Sequence, residues 1–206
     1  MPREIYTELE QYKKDPSTIY TQRVFRRQTF GRNWEKNIGR YLVEKFEIKS
    51  ACDFGCGIGC FLEGILESGV NSLVGIEYIF DNAKPFMSPL VLPFIRQGDA
   101  SLPLDVGVHD FVMSIETAEH ILPERSSVFA DNLAKASSRW VFLTAAPVGQ
   151  KGTAHINCRP KEDWIRMMQG RGFELQQRVT RQVGRTMRHM CRYKFLRKNL
   201  MIFKRG

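Results

Sequence analysis

The sequence predicts an α/β fold in which a largely parallel β-sheet is covered by helices. Short apolar runs recur at intervals of about twenty to thirty residues, and more amphipathic segments lie between them. A glycine-rich turn follows the first of these runs, at the edge where such sheets bind ligands. The chain has 206 residues, 43% of them hydrophobic, which is enough for one domain with a full core.

The apolar runs have the length and composition of β-strands. In chain order the predicted strands are Ser50–Phe54, Leu73–Glu77, Phe94–Gln97, Asp110–Ile115, Trp140–Thr144, Glu174–Thr180 and Leu200–Lys204. We expect residues 1–46 to form an N-terminal helical cap and residues 47–206 to form the main part of the same domain.

Four segments outside these strands position the predicted site. Gly59–Ser68 is amphipathic and begins at the glycine turn, and Arg159–Gly170 carries Pro160 at an early helical position. Tyr20–Phe46 predicts one or two helices over the carboxyl ends of the strands. Phe80–Pro93 contains three prolines, which exclude a long helix, so we expect a short or broken element there.

The formal net charge of +9 is concentrated near the end of the sequence. Glu174 is the last acidic residue, and ten basic residues follow it: Arg178, Arg181, Arg185, Arg188, Arg192, Lys194, Arg197, Lys198, Lys204 and Arg205. A second basic cluster lies near the N-terminus: Arg23, Arg26, Arg27, Arg32, Lys36 and Arg40. Such clusters attract phosphate-bearing partners or acidic membranes, and the alternative is an ordinary solvated helix face.

The cysteines and the hydropathy predict a cytoplasmic protein. Five cysteines are an odd number, and Cys52, Cys56 and Cys60 crowd the glycine turn, so small buried thiols are favoured over disulfides or a metal site. We find no signal segment at the N-terminus, and no apolar run approaches the roughly 20 residues of a membrane span.

The glycine turn predicts a bound nucleoside. It runs from a short strand through Asp53, Gly55, Gly57 and Gly59, which lets the backbone turn sharply and approach a ligand. Glu77 ends the next strand, where an acid can hold ribose hydroxyls. A dinucleotide fingerprint needs its third glycine three residues after the second, and Cys60 stands at that position.

The alternating pattern D-x-G-x-G-x-G resembles motif I of class I S-adenosylmethionine (SAM)-dependent methyltransferases. The resemblance implies a three-layer Rossmann-like methyltransferase fold, with a seven-stranded, mostly parallel sheet and an antiparallel last strand. It implies SAM as cofactor, with contacts at Asp53, Gly55, Cys56, Gly57, Gly59, Glu77, Tyr78, Asp99, Ala100 and Ile115. Asp99, after the third strand, corresponds to an acid that accepts a hydrogen bond from adenine, and a turn capped by Asp99 is the alternative.

The run Glu116-Thr-Ala-Glu119-His120 follows the fourth strand, and on a helix these three side chains would share one face. It is similar to E-x-x-E-H runs of ubiquinone-pathway O-methyltransferases and of enzymes that methylate the 3′-terminal 2′-hydroxyl of small RNAs. In the RNA branch two glutamates and two histidines bind Mg²⁺. Carried over, this gives Glu116, Glu119, His120 and His155 as candidate metal ligands. Metal-free alternatives are helix capping by Glu116, and catalysis or substrate binding by His120 or His155.

The block from Pro147 to Phe173, with its glycine-rich loop, His-Ile-Asn and Trp164, resembles a group of small stand-alone methyltransferases. We expect O-methyl transfer to a small-molecule, sugar or nucleic-acid hydroxyl, because the Asn/Asp-Pro-Pro-aromatic signature of many amino-group methyltransferases is missing after the fourth strand. His155, His120 and Glu116 are the candidate catalytic residues. One alternative is a non-catalytic SAM-fold subunit that binds a phosphate-rich partner such as RNA through the basic tail. A nicotinamide oxidoreductase is another.

Overall fold

A computed structural model describes residues 10–191 and 193–206. Residues 1–9 of the predicted cap and Arg192 of the basic tail lie outside the described residues. The sheet has seven strands in the order β3-β2-β1-β4-β5-β7-β6. These are β1 Ser50–Phe54, β2 Ser72–Glu77, β3 Ile95–Gln97, β4 His109–Ser114, β5 Ser137–Thr144, β6 Phe173–Leu175 and β7 Leu200–Arg205.

The predicted sheet is confirmed in its strand number and strand directions. The pairs β1–β2, β1–β4, β2–β3 and β4–β5 are parallel, whereas β7 runs antiparallel to both β5 and β6. The prediction of a strand over Glu174–Thr180 is wrong beyond Leu175, because a helix begins at Gln177. Val179, Val183 and Met187 recur there at intervals of four residues, which is the helical period.

The helices lie on the two faces of the sheet and at the carboxyl ends of its strands. They are α1 Gln22–Gln28, α2 Arg32–Phe46, α3 Cys60–Glu67, α4 Phe80–Ala83, α5 Ser126–Ala136, α6 Lys161–Gln169, α7 Gln177–Met190 and α8 Lys194–Asn199. Pro160 precedes α6 in an extended conformation instead of lying inside the helix. The broken element between residues 80 and 93 is confirmed, since only the four-residue α4 and short 3₁₀ turns occur there.

Side-chain alternation along the central strands divides the core between the two faces of the sheet. In β4, Phe111 and Met113 point to one face and Val112 points to the other, and all three are fully buried. The face of Phe111 is covered by α2, α3 and α7, and the face of Val112 by α5 and α6. The result is the predicted three-layer arrangement.

The N-terminal helices do not both lie over the carboxyl ends of the strands. α1 lies there, and Gln28 at its end accepts a hydrogen bond from the Ile58 amide at 3.2 Å. α2 instead packs along α3, so closely that a Cβ on Gly39 would lie 2.3 Å from the Phe61 carbonyl oxygen. Only the first turn of α2 reaches the strand ends. Among the described residues, no helix is long and apolar enough to cross a membrane.

The three cysteines near the glycine turn, Cys52, Cys56 and Cys60, are buried free thiols, as predicted.

Candidate active site

A cavity of about 430 Å³ opens at the carboxyl ends of the parallel strands, between them and α1, α2 and α8. This volume falls in the usual range of small-molecule sites, about 300–1,000 Å³. Nine of the ten predicted cofactor residues line it: Asp53, Gly55, Cys56, Gly57, Glu77, Tyr78, Asp99, Ala100 and Ile115. Gly59 is not among its lining residues and instead starts α3, where its Cα faces Val91 and Ile95.

The glycine turn has the backbone conformation that its residue types favour. Gly55, Gly57 and Gly59 all have positive φ angles, between 56° and 77°. At Gly55 a Cβ would lie 2.3 Å from the Thr117 Oγ1, and at Gly57 it would lie 2.5 Å from the Gln28 Oε1. The turn is therefore held between α1 and the segment after β4, and its backbone remains open to the cavity.

Asp53 supplies a buried carboxylate at the base of the cavity. Its residue surface is 2% exposed, and its Oδ1 atom has no hydrogen-bond partner among the described residues. Burial, followed by the nearby charges of Glu77 and Glu35, raises the pKa of this carboxyl well above its ordinary value. An unpaired buried acid is costly unless a cation or a hydrogen-bond donor meets it.

Glu77 and Asp99, which were predicted to contact ribose and adenine, both line the cavity. The Glu77 carboxylate accepts hydrogen bonds from the Gly57 amide at 2.8 Å and the Ile79 amide at 3.0 Å, and burial raises its pKa. Asp99 borders the cavity, and its Oδ1 accepts a hydrogen bond from the Ser101 amide at 2.8 Å. The alternative of an Asp-capped turn is therefore correct, and the second carboxylate oxygen is the one left for a ligand.

Three of the four predicted metal ligands come together, and two of them, His120 and His155, line the cavity. One candidate ligand atom each from Glu119, His120 and His155 lies within 4.8 Å of the others. Glu119 is fully buried, and neither of its carboxylate oxygens has a hydrogen-bond partner among the described residues. Burial, followed by the nearby Glu116 carboxylate, raises the pKa of Glu119 to about 8.

The two histidines are oriented by backbone carbonyl groups. The Nδ1 atom of His155 lies 3.1 Å from the Gln150 carbonyl oxygen, and its Nε2 lies 4.0 Å from the Glu119 Oε1. The Nδ1 atom of His120 lies 2.9 Å from the Ala154 carbonyl oxygen and 2.7 Å from the Tyr20 hydroxyl. Burial lowers the pKa of His120 to about 4. A carbonyl oxygen only accepts, so in each ring Nδ1 is the nitrogen that donates, and in the neutral ring Nε2 holds the lone pair.

Glu116 lies beside this cluster but is bonded elsewhere. Its carboxylate accepts hydrogen bonds from the Asn199 side chain at 3.0 and 3.3 Å and from the Gln150 side chain at 3.3 Å. Its amide donates to the Thr144 hydroxyl at 2.7 Å, and its φ is +49°. The prediction that Glu116, Glu119 and His120 share one face of a helix is wrong, since only Ala118–His120 forms a 3₁₀ turn there. The alternative that Glu116 caps a helix is also wrong, because Thr117 is the N-cap residue of this turn.

Sequence reasoning missed several residues of the site. Asn199 is 1% exposed and connects Glu116 to Gln150, and Tyr20 reaches His120 from 100 positions away. The aromatic group formed by Trp34, Tyr193 and Phe195 was also not predicted. The ring centroid of Tyr193 lies 5.4 Å from that of Trp34 and 5.2 Å from that of Phe195. No local pattern links these residues, because the fold brings them together from distant segments.

Comparisons with known proteins agree with this architecture. No protein-family model and no curated protein matches the sequence. Among solved structures, magnesium protoporphyrin IX methyltransferase from Synechocystis PCC 6803, with bound SAH, aligns at a TM-score of 0.60 and 16% identity over 85% of this chain and 84% of that one. The methyltransferase domain of bacterial CtHen1 aligns at 0.53 and 16% identity over 69% and 87%.

A third structure, the sugar N-methyltransferase KedS8 from Streptoalloteichus sp ATCC 53650, aligns at a TM-score of 0.59 and 13% identity over 83% of this chain and 86% of that one. The fold is that of class I SAM-dependent methyltransferases. At these identities the likeness concerns the fold, which hosts varied substrates.

Proposed function

We propose that this protein is a SAM-dependent methyltransferase that acts on a hydroxyl group. The observation that carries the proposal is a single cavity lined both by the glycine turn with Asp53 and by the pair His120 and His155, with the buried Glu119 beside that pair. A cofactor site and proton-accepting groups therefore face the same space. An ordinary glycine turn, or a non-catalytic subunit, has no need for this second group.

Several residues of the cavity suit the charged and polar groups of SAM. The unpaired Asp53 carboxylate suits an ammonium group, and the backbone of Gly55 and Gly57 is open to a ligand. Glu77 and Asp99 line the cavity further along, at positions suited to ribose and adenine. α1 covers the turn, which supports a cap role for this part of residues 1–46. A sulfonium cation also suits a cavity with several carboxylates.

The chemistry needs alignment and the removal of one proton. SAM supplies an activated methyl group, so the protein has to place an acceptor hydroxyl in line with it. The Nε2 atoms of His120 and His155 keep lone pairs, because each Nδ1 atom lies against a carbonyl oxygen. We assign to this pair the binding of the hydroxyl and the acceptance of its proton.

We further propose that the cluster binds a divalent cation through these same lone pairs, in which case the ion and not the histidine pair would activate the hydroxyl. Glu119, His120 and His155 would hold it, and Glu116 would join as a fourth ligand by releasing Asn199. The buried, unpaired Glu119 carboxylate supports a cation at this position. One carboxylate with two imidazoles suits Mn²⁺ or Zn²⁺ as well as Mg²⁺. Such an ion lowers the pKa of a bound hydroxyl.

Isothermal calorimetry tests the cofactor. We expect binding of SAM and of its demethylated product, and no binding of NAD. Failure to bind either SAM or its product defeats the enzyme proposal, and binding of NAD in their place supports an oxidoreductase. A labelled-methyl assay on pools of small molecules, sugars and nucleic acids then identifies the class of acceptor, since only the correct pool becomes labelled.

Thermal unfolding tests whether the protein binds a cation, without relying on activity. We expect Mn²⁺ or Mg²⁺ to raise the melting temperature of the wild-type protein and EDTA to reverse the effect, because binding to the folded state stabilises it. Glu119→Gln should lose the response, and Asp131→Asn, on the outer surface of α5, should keep it. If no divalent cation changes the melting temperature of the wild-type protein, the cation proposal fails. The histidine pair would then act without a metal.

A further inference from the structure

The outer face of α7 carries a stripe of four arginines, Arg178, Arg181, Arg185 and Arg188. They are spaced by three, four and three residues, so they lie on one side of the helix, and all four are exposed. With a rise of about 1.5 Å per residue, successive arginines are about 4.5–6 Å apart along the axis. The stripe is therefore a linear array of positive charge about 15 Å long.

The charge of this stripe is not neutralised by the part of the protein that the structure describes. Among residues 10–191 and 193–206, none of the four arginines forms an ion pair with an acidic side chain. α7 itself contains no acidic residue. Arginines elsewhere are partnered, such as Arg40 with Glu67 and Arg171 with Asp131. The stripe therefore has its full charge available for an anionic partner.

The stripe leads to the mouth of the cavity. The last turn of α7 is followed by Tyr193, which lines the cavity, and then by α8. The backbone of Arg197 on α8 packs near Gly184 of α7, since a Cβ on Gly184 would lie 3.7 Å from its carbonyl oxygen. Lys194 and Lys198 on α8 are exposed. The positive surface thus continues from α7 onto the helix that borders the site.

Two aromatic rings are exposed where this positive surface reaches the cavity. Tyr193 is 46% exposed and Phe195 is 38% exposed, with an angle of 30° between their ring planes. α1, which also borders the cavity, presents Arg23, Arg26 and Arg27 to solvent. Exposed rings next to rows of positive charge are the features with which proteins bind single-stranded nucleic acids.

We propose that α7 and α8 form a binding surface for single-stranded nucleic acid. The arginine stripe contacts successive phosphates, and a base stacks against Tyr193 or Phe195 at the cavity mouth. The surface rests on the charge and the exposed rings alone. The further step, that a hydroxyl of the bound strand is the methyl acceptor, rests on the proposed function.

The structure argues against a membrane as the partner of α7. A helix that lies in a membrane inserts its apolar face among the lipids. In α7 that face is already used, because Val183 and Met187 are buried in the core against β7. The exposed side of the helix offers charge without apolar area. A strand of phosphates matches such a surface, and an unpaired base matches the rings.

Fluorescence anisotropy with labelled oligonucleotides tests the surface, using the full chain. The test variant is Arg181→Gln with Arg185→Gln, since glutamine keeps the helix propensity of arginine. The matched control is Lys49→Gln with Lys135→Gln. Both control residues are exposed and lie next to the amino ends of β1 and β5, at the edge of the sheet away from the cavity. Each variant loses two positive charges.

We expect the wild-type protein to bind a single-stranded oligonucleotide with an affinity that falls steeply with salt. The test variant should lose at least tenfold in affinity and reduce the slope of log K against log salt by about 1–2. The control should stay within about twofold. Tyr193→Ser with Phe195→Ser should weaken binding of the oligonucleotide about fivefold or more, and leave binding of an abasic strand unchanged.

Three results overturn the surface proposal: no binding of oligonucleotide at low salt, equal losses in the test and control variants, or binding to phosphatidylserine vesicles without binding to oligonucleotide. SAM calorimetry on the same samples separates the two proposals. If the wild-type protein does not bind SAM, the proposed enzyme function is refuted, and the proposed nucleic-acid surface is unaffected. A strand that binds and takes up no label excludes the acceptor step alone.

Discussion

Replacing Gly55 by alanine tests whether close packing against Thr117 determines the glycine turn. Gly55 has a φ of +76°, and an added Cβ would lie 2.3 Å from the Thr117 Oγ1 and 2.5 Å from its Cγ2. Gly107 has a φ of +77°, and nothing lies within 4 Å of the position of its Cβ. The two glycines therefore share a backbone conformation that would strain alanine, and they differ in their surroundings.

The expected cost follows from these two terms. Alanine at a left-handed position costs about 1–2 kcal/mol, which both variants share. Overpacking against a branched side chain adds about 1–3 kcal/mol at Gly55 only. At about 2–4 °C for each kcal/mol in a protein of this length, Gly55→Ala should melt clearly below Gly107→Ala.

Thermal unfolding of both variants, with and without SAM, measures the difference. Gly55→Ala should also lose SAM affinity, and Gly107→Ala should keep it. Adding Thr117→Ala to Gly55→Ala should recover part of the lost stability, because it removes the two nearest atoms. Equal melting temperatures for Gly55→Ala and Gly107→Ala would refute the steric account of the turn.

Three further predictions concern buried polar groups. Asp53→Asn should weaken SAM binding about tenfold or more in calorimetry and leave the free protein equally or more stable, because it removes a buried charge. Burial raises the pKa of Glu35 to about 7, so the folded state holds a proton that the unfolded state releases above about 4.5. The resulting stabilisation is complete below about pH 4.5 and is lost as the pH rises through 7. The free energy of unfolding in urea should therefore differ between pH 5 and pH 8, and Glu35→Gln should reduce that difference by about 1–3 kcal/mol. Asn199→Asp places a second carboxylate beside Glu116 and should lower stability at neutral pH by about 3 kcal/mol or more, further than Asn199→Leu, as measured by thermal unfolding.

The sequence predicted those parts of the molecule in which neighbouring residues carry the information. The turn from Asp53 to Gly59 has a local pattern because one backbone conformation needs glycine at alternate positions. The strands β1, β2, β4 and β5 were found because each contains a compact apolar run. The first turn of α7 was misread as a strand, because Val179 and Thr180 favour strands and the helical period appears only when Val183 and Met187 are included.

The arrangement around Glu116 could not be predicted for a different reason. Its partners, Gln150 and Asn199, lie 34 and 83 positions away. No local spacing encodes such contacts, because the order of the strands in the sheet determines them. The same holds for Tyr20 and His120. The helix assumed for Glu116, Glu119 and His120 failed because Glu116 adopts a left-handed backbone conformation before the 3₁₀ turn.

The position of β7 has a consequence for the order in which the protein folds during synthesis. β7 lies between β5 and β6 in the sheet, although it is made after both. Until residues 200–205 leave the ribosome, β6 has no neighbouring strand among the described residues, and β5 keeps an open edge. Asn199, which holds Glu116, arrives with the same segment. The nascent chain therefore completes its sheet and the contacts of Glu116 beside the cavity together, after β6 has been made. Before that step its open strand edge needs protection from other chains.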